Sequence, residues 1–481
     1  MRKFFSYFLI AVLFAVGWGR AQSLSDDPRL ASALKLIEIW VEAQLDYEDI
    51  PGMSIGIVHD QNLLWSRGFG LADVEKKIPA MPETIYSICS ISKLFTSISV
   101  MQLRDEGKLS LDDPVKKYLS WFSIKDKYPD APEVTLRGIL THSSGLPRES
   151  DYPYWTGPRF VFPTREEIIK KLSGQEELYP AETYFQYSNL GMALAGEVVA
   201  AVSGLPYAEY VKKNILSPLS LKDTIPEIPE AQRGKRLATG YSNRLRDGSR
   251  QVIPFFLVRG MAPAAGFAST VEDLARFASW QVRLLGKGGK EILNANTLKE
   301  MQRVHWIDPD WKTTQGLGFS ISRRDGKTYV GHGGSCPGYR TQLSLSPKEK
   351  LAVIVMTNAN DVDPEEYVRE IFEIVGPALA KVIESPGKAK KAESDLEKFI
   401  GRYERPIGRE IQVVIMDGEL GIISLPTKNP SEALIKLRSV KENVFRRVRD
   451  DGELGEEIVF EVGPDGKVTR FIWNSQYAYR V

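Results

Sequence analysis

Between Pro28 and Glu48, apolar side chains return at helical spacing (Leu30, Leu34, Ile37, Trp40, Val41, Leu45), which predicts an amphipathic helix. MSIGIVHDQNLLWSRGFG follows, two β-rich runs around Asp60-Gln61-Asn62, and reads as a hairpin. Helical patterns dominate from 90 to about 300, broken by the aromatic and proline-rich stretch YPYWTGPRFVFP at 152–163. Capping boxes at Thr164…Glu167 and Ser269…Glu272 mark helix starts there. From 316 the pattern changes to strands: GLGFSISR, KTYVGHGG, YRTQLSLSP and KLAVIVMTN. The last is continuously apolar, as expected of a central strand covered on both faces. A helix near 364–384 closes the unit, and the order of elements predicts one sheet flanked by helices with an all-helical insertion.

SPGKAKKAESD (385–395) is polar, lysine-rich and aperiodic, the composition of a linker. Beyond it IQVVIMD, ELGIISL, ALIKLRS, NVFRRVR, EEIVFEV, KVTRFIW and YAYRV form short, evenly spaced apolar runs separated by turn residues. They predict a small antiparallel barrel or sandwich over 396–481. The organisation expected is therefore a leader at 1–21, an α+β unit at 22–384, a linker at 385–395 and an all-β unit at 396–481.

Length agrees with more than one domain, since 481 residues exceed what a single core usually serves. Charge is balanced, 63 Lys and Arg against 62 Asp and Glu, so neither nucleic acid nor an anionic membrane surface is expected as a partner. MRK followed by FFSYFLIAVLFAVGW and then Gly19-Arg20-Ala21 has the build of a cleavable export signal. The expected location is periplasmic or secreted, with no stable membrane span in the mature protein. Two cysteines exclude a disulfide-built scaffold. The four histidines form no cluster with other ligand residues, so no metal and no other cofactor is expected.

GMSIG (52–56) fits the nucleophile-elbow pattern but is followed by a strand rather than a helix, so Ser54 should lie within a ladder. GKGGK (286–290) lacks the Ser or Thr and the preceding strand of a phosphate loop. YSICSISKLFTS (86–97) is different. The pattern from Ser90 onward is helical, which puts Ser90 and Lys93 on one face, three residues apart. Lys93 stands in an apolar neighbourhood that disfavours its charged form. A neutral amine beside a hydroxyl is a base beside a nucleophile.

That Ser-x-x-Lys has company. Tyr187-Ser188-Asn189 and His332-Gly333-Gly334 follow it in the chain, where class C β-lactamases carry Y-x-N and then K-T-G or H-x-G. With GKLSLDDPV, VTLRGILTHSSGLP, FQYSNLGMALAGEVVAAVSG and GHGGSCPGYRTQLSLSP, the chain resembles the class C β-lactamase-like serine hydrolases over about 45–375. That group holds β-lactamases, D,D-peptidases, D-aminopeptidases and family VIII esterases. The stretch beginning LEKFIGRYE resembles the lipocalin-like barrel appended to some members. The resemblance implies a β-lactamase/transpeptidase-like antiparallel sheet with an all-helical subdomain.

It also implies roles. Ser90 is the nucleophile, Lys93 accepts or relays its proton, and Tyr187 is the partner base, its phenol needing a lowered pKa. Which of the two bases acts first is left open. Asn189 orients Lys93 or holds a substrate carbonyl. The N–H groups of Ser90 and Ser335, beside His332, Gly333 and Gly334, form the oxyanion hole. A histidine at 332 in place of lysine weakens the grip on a substrate carboxylate, which favours neutral esters and amides over β-lactams. The loop 152–163 reads either as an apolar acyl pocket or as a lid packed on the helical domain, and His142 as a turn-former. Cys89 directly precedes the nucleophile and Cys336 follows the second oxyanion donor. Two free thiols are the expectation there, with a disulfide as the alternative. Three activities compete: hydrolysis of small-molecule esters or amides, cleavage of D-configured or peptidoglycan peptides, and a penicillin-binding sensor without turnover. The complete Tyr187-Ser188-Asn189 argues against the third, because deacylation needs a base.

Overall fold

The computed structural model describes residues 24–388 and 395–481, so the expected leader and most of the expected linker lie outside the described residues. The helix Pro28–Glu48 begins where expected, with Asp27 accepting the Arg29 N–H at its start. The hairpin Gly52–His59 and Asn62–Asp73 turns through Asp60, whose φ of 53° is left-handed. These two strands join a nine-stranded antiparallel sheet. Its order is Ile78–Pro79, Asn62–Asp73, Gly52–His59, Leu351–Thr357, Tyr339–Ser346, Lys327–Cys336, Ser320–Arg324, Thr314–Gln315 and Trp306–Ile307.

The continuously apolar strand Leu351–Thr357 is buried throughout and divides the core. Leu351, Val353 and Val355 pack with the helices Pro28–Glu48 and Pro364–Glu384 on one face. Ala352, Ile354 and Met356 join the cluster of the helical region on the other. Alternation of side chains across the pleat produces this division, and two apolar layers make it stable. At the centre of the helical region is the helix Ser92–Asp105, buried from Ser92 to Leu103.

One expected helix start moves. Thr164 and Glu167 form the capping box at the helix Arg165–Leu172. The helix Val271–Lys287, however, is capped by Thr270, which accepts from Asp273 N–H, and not by Ser269. Ser269 is held extended by pairing with Tyr86, and its hydroxyl is engaged by Thr224. Ser54 lies inside the ladder between Gly68 and Met356, fully buried, as its context predicted.

The C-terminal strands close into an eight-stranded barrel. The first strand, Gly401–Glu404, is too short to show an alternating run, and it seals the barrel by pairing Tyr403 with Arg480 and Glu404 with Tyr479. Strand Glu419–Leu425 serves both units: Leu420 and Ile422 fill the barrel, while Ile423 and Leu425 pack into the layer of the two long helices. Trp40 Nε1 adds a hydrogen bond to Thr427 O at 2.8 Å. Among the described residues no single helix is long and apolar enough to cross a membrane.

Candidate active site

A cleft of about 1060 Å³ opens between the sheet edge at Gly333–Cys336 and the helical region. Ser90 stands at its floor, half-buried. It does not begin the long helix, as its spacing suggested, but lies in a 3-10 turn, Cys89–Ile91, that leads into it. Cys89 has a φ of 49°, and this left-handed residue redirects the chain so that Ser90 faces the cleft.

Lys93 is fully buried, and its Nζ is surrounded by oxygen atoms. It donates to Asn189 Oδ1 and to Ala264 O, each at 2.8 Å, and lies 2.9 Å from Ser90 Oγ. Burial holds its pKa well below the ordinary lysine value; Glu149 opposes that shift and Arg148 adds to it. A neutral amine has two N–H bonds and one lone pair. The two carbonyl oxygens can only accept, so they take the two N–H bonds and leave the lone pair towards Ser90.

Tyr187 and Asn189 flank the cap of the helix Asn189–Ser203. Ser188 is the N-cap, accepting from Gly191 N–H, so Asn189 begins the first turn while Tyr187 stays outside it. A loop running from Thr141 to Glu149 cradles this cap. Ser188 N–H donates to His142 Nδ1 at 3.2 Å, and Asn189 N–H donates to Arg148 O at 2.8 Å. His142 is thus the turn-former the sequence suggested, with a φ of 58° and its ring 4.3 Å from that of Tyr187.

The Tyr187 phenol faces Ser90, which favours its ionised form, and Lys93 Nζ sits 4.8 Å from the ring centroid. The lowered pKa expected for this phenol is not met. Burial pushes it above the ordinary tyrosine value, and the neighbouring Ser90 hydroxyl and the Arg148 charge offset only part of that. Desolvation outweighs one partly exposed guanidinium.

Strand Lys327–Cys336 brings Gly333, Gly334 and Ser335 to the cleft wall. A Cβ on Gly334 would lie 2.3 Å from Ile88 O and 2.2 Å from Thr341 Oγ1, so glycine is required for the strand to approach the serine turn. His332 comes near Tyr187, ring centroids 6.3 Å apart, but does not line the cleft. The imidazole is buried, its Nδ1 meets Gly333 O at 2.6 Å, and its Nε2 has no partner. Burial, then the nearby Lys93, pushes its pKa down to about 4. The ring is therefore neutral at neutral pH. Cys89 and Cys336 are joined as a disulfide, Cα atoms 5.8 Å apart, which corrects the expectation of free thiols. The aromatic loop meets both the cleft and the core: Trp155 and Phe160 line the cleft, while Tyr154 and Phe162 are buried.

Two cleft residues escape a motif reading. Glu149 Oε1 accepts from Asn189 Nδ2 at 2.7 Å, and Arg148 lies over the Tyr187 ring at 4.9 Å. They directly follow the quoted THSSGLP, so their place in the chain is the only signal that could have found them.

Known proteins resemble this chain in sequence and fold. The sequence pattern of the β-lactamase family matches residues 38–375, and that of a domain of unknown function, DUF3471, matches 385–481. The Beta-lactamase-like protein 2 of Dictyostelium discoideum is 27% identical over 422 residues, 83% of this chain and 75% of that one. The octameric penicillin-binding protein homologue from Pyrococcus abyssi is 27% identical, with a TM-score of 0.62 over 93% of this chain and 100% of that one. A D-stereospecific amidohydrolase from Streptomyces sp. shares the fold, with a TM-score of 0.57 at 23% identity over 71% of this chain and 98% of that one.

Proposed function

We propose that this chain, which belongs to the β-lactamase family, is an exported serine hydrolase that opens carboxylic esters or small amides through an acyl-enzyme on Ser90. The observation that carries the reading is the buried Lys93 Nζ at 2.9 Å from Ser90 Oγ, with Asn189 Oδ1 and Ala264 O each at 2.8 Å: in the neutral amine those two acceptors take both N–H bonds, which leaves the lone pair for the serine proton. Ser90 Oγ attacks the substrate carbonyl carbon, and its proton passes to the coupled Lys93–Tyr187 pair. The carbonyl electrons move onto oxygen, which the N–H groups of Ser90 and Ser335 receive. On collapse the leaving group takes the proton from the pair and departs. Water, deprotonated by the same pair, then releases the acid and restores Ser90.

A raised Tyr187 pKa fits this order of events. The phenol remains protonated at rest and can donate to the leaving group, while the neutral amine is the first acceptor. Preference for uncharged substrates is supported by His332, whose neutral, inward-turned ring offers no cation to a substrate carboxylate. Trp155 and Phe160 supply an apolar wall for the acyl part. Export is supported by the leader-like composition of residues 1–21.

A fluorophosphonate probe tests the nucleophile: labelling is expected on Ser90 in the native chain and absent in Ser90→Ala. Turnover of p-nitrophenyl esters, D-alanyl peptides and nitrocefin then separates the substrate classes. Rapid nitrocefin hydrolysis with the esters untouched would overturn the preference for neutral esters.

A further inference from the structure

The two backbone N–H groups assigned to the oxyanion come from different layers of the fold. Ser90 belongs to the 3-10 turn ahead of the central helix, whereas Ser335 belongs to the strand Lys327–Cys336. Their separation must be held to a few tenths of an ångström if both are to reach one oxygen. The disulfide joins the residue before the first donor to the residue after the second.

We propose that the Cys89–Cys336 disulfide is the positioning element that sets the separation of the Ser90 and Ser335 N–H groups, and thereby the rate of acylation. The proposal rests on the reading of Ser90 as nucleophile given above. Further contacts gather beside the bridge. Gly334 leaves room for Ile88 O against the strand, and Thr341 Oγ1 donates to Ile88 O at 3.3 Å. The buried Ser87 hydroxyl lies 3.2 Å from Cys336 Sγ and 3.6 Å from Cys89 Sγ. Cys89 is also the left-handed residue that turns Ser90 into the cleft, so the bond anchors the conformation on which the serine's aim depends. A bond serving stability alone has no need to span the two donors, and Cys336 itself lines the cleft.

The test compares the full-length native chain with the double variant Cys89→Ala/Cys336→Ala, and with native chain treated with TCEP and then reoxidised. Three quantities are read well below the unfolding temperature: the second-order rate of fluorophosphonate labelling, the affinity for phenylboronic acid, and KM against kcat for p-nitrophenyl acetate. Phenylboronic acid becomes tetrahedral when Ser90 Oγ adds to boron, so it reports on the oxyanion site directly. Loss of the bridge is expected to slow labelling about tenfold or more and to weaken the boronate by a similar factor. KM should change by less than about threefold, and reoxidation should restore the rate. Labelling and boronate binding unchanged within about twofold, with only a lower unfolding temperature, would overturn the proposal and leave a simple staple. Should the double variant not fold, the TCEP arm decides alone. Failure of the native chain to label would overturn the nucleophile reading itself, a result distinguishable from the loss of positioning.

Discussion

Glu149 and Asn189 fix each other: Glu149 Oε1 accepts from Asn189 Nδ2 at 2.7 Å, and this leaves Oδ1 of the same amide to accept from Lys93 Nζ at 2.8 Å. A carboxylate cannot donate, so the end of the amide facing it has to be the NH2 group. Orientation of the buried amine is therefore set two residues away from it. Glu149→Ala should release the amide, lowering kcat about tenfold or more with little change in KM. Glu149→Gln, whose own oxygen can accept from Nδ2, should retain most of the rate. Equal losses in the two variants would argue for charge rather than orientation.

Lys93→Met replaces a desolvated amine with an apolar chain of similar length. Ser90 labelling should fall about 10³-fold, since proton transfer loses its acceptor. The unfolding temperature should hold or rise, because the variant no longer buries a titratable amine. Labelling at the native rate would end the proposed mechanism.

Arg148 lies 4.9 Å over the Tyr187 ring, and its charge lowers the phenol pKa against the effect of burial. Removing it in Arg148→Gln should raise that pKa further and make the phenol a weaker proton donor, so kcat for esters with poor leaving groups falls about threefold or more with little change in KM. Arg148→Lys should return most of the rate. A kcat unmoved by Arg148→Gln would confine this residue to contact with substrate.

His332 titrates at about 4 when folded, against about 6.5 in the unfolded chain. Between those values the unfolded state binds more protons, so stability falls as the pH falls from 6.5 to 4 and loses nothing more from this group below that. A downward shift from 6.5 to about 4 corresponds to roughly 3 kcal/mol. His142, also buried with a lowered pKa, acts in the same direction. Urea unfolding at pH 7 and pH 4.5 should show a smaller pH dependence in His332→Gln than in the native chain.

What the sequence reveals and what it hides follow from distance along the chain. Ser90 and Lys93 are three residues apart, so the 3-10 turn running into the helix brings them together locally. The strand Leu351–Thr357 is legible because burial on both faces removes the polar half of the alternation. Ala264 O, by contrast, is a backbone acceptor 171 residues from Lys93 and carries no side-chain signature at all. The Cys89–Cys336 bridge depends on how the sheet edge meets the serine turn, a tertiary matter that spacing cannot supply. Thr270 replaces Ser269 as cap because a two-residue strand pairing claims Ser269 first. Glu149 and Arg148 are recruited through a cradle around Ser188, contacts that no local pattern encodes.

Strand Glu419–Leu425 has an inward side and an outward side, and both are apolar because each meets a different core. Severing the chain at the lysine-rich segment would therefore leave two oily scars, one around Ile423 and Leu425 and the other across Trp40 and its neighbours. The expected product of such a truncation is insoluble material rather than a smaller folded protein.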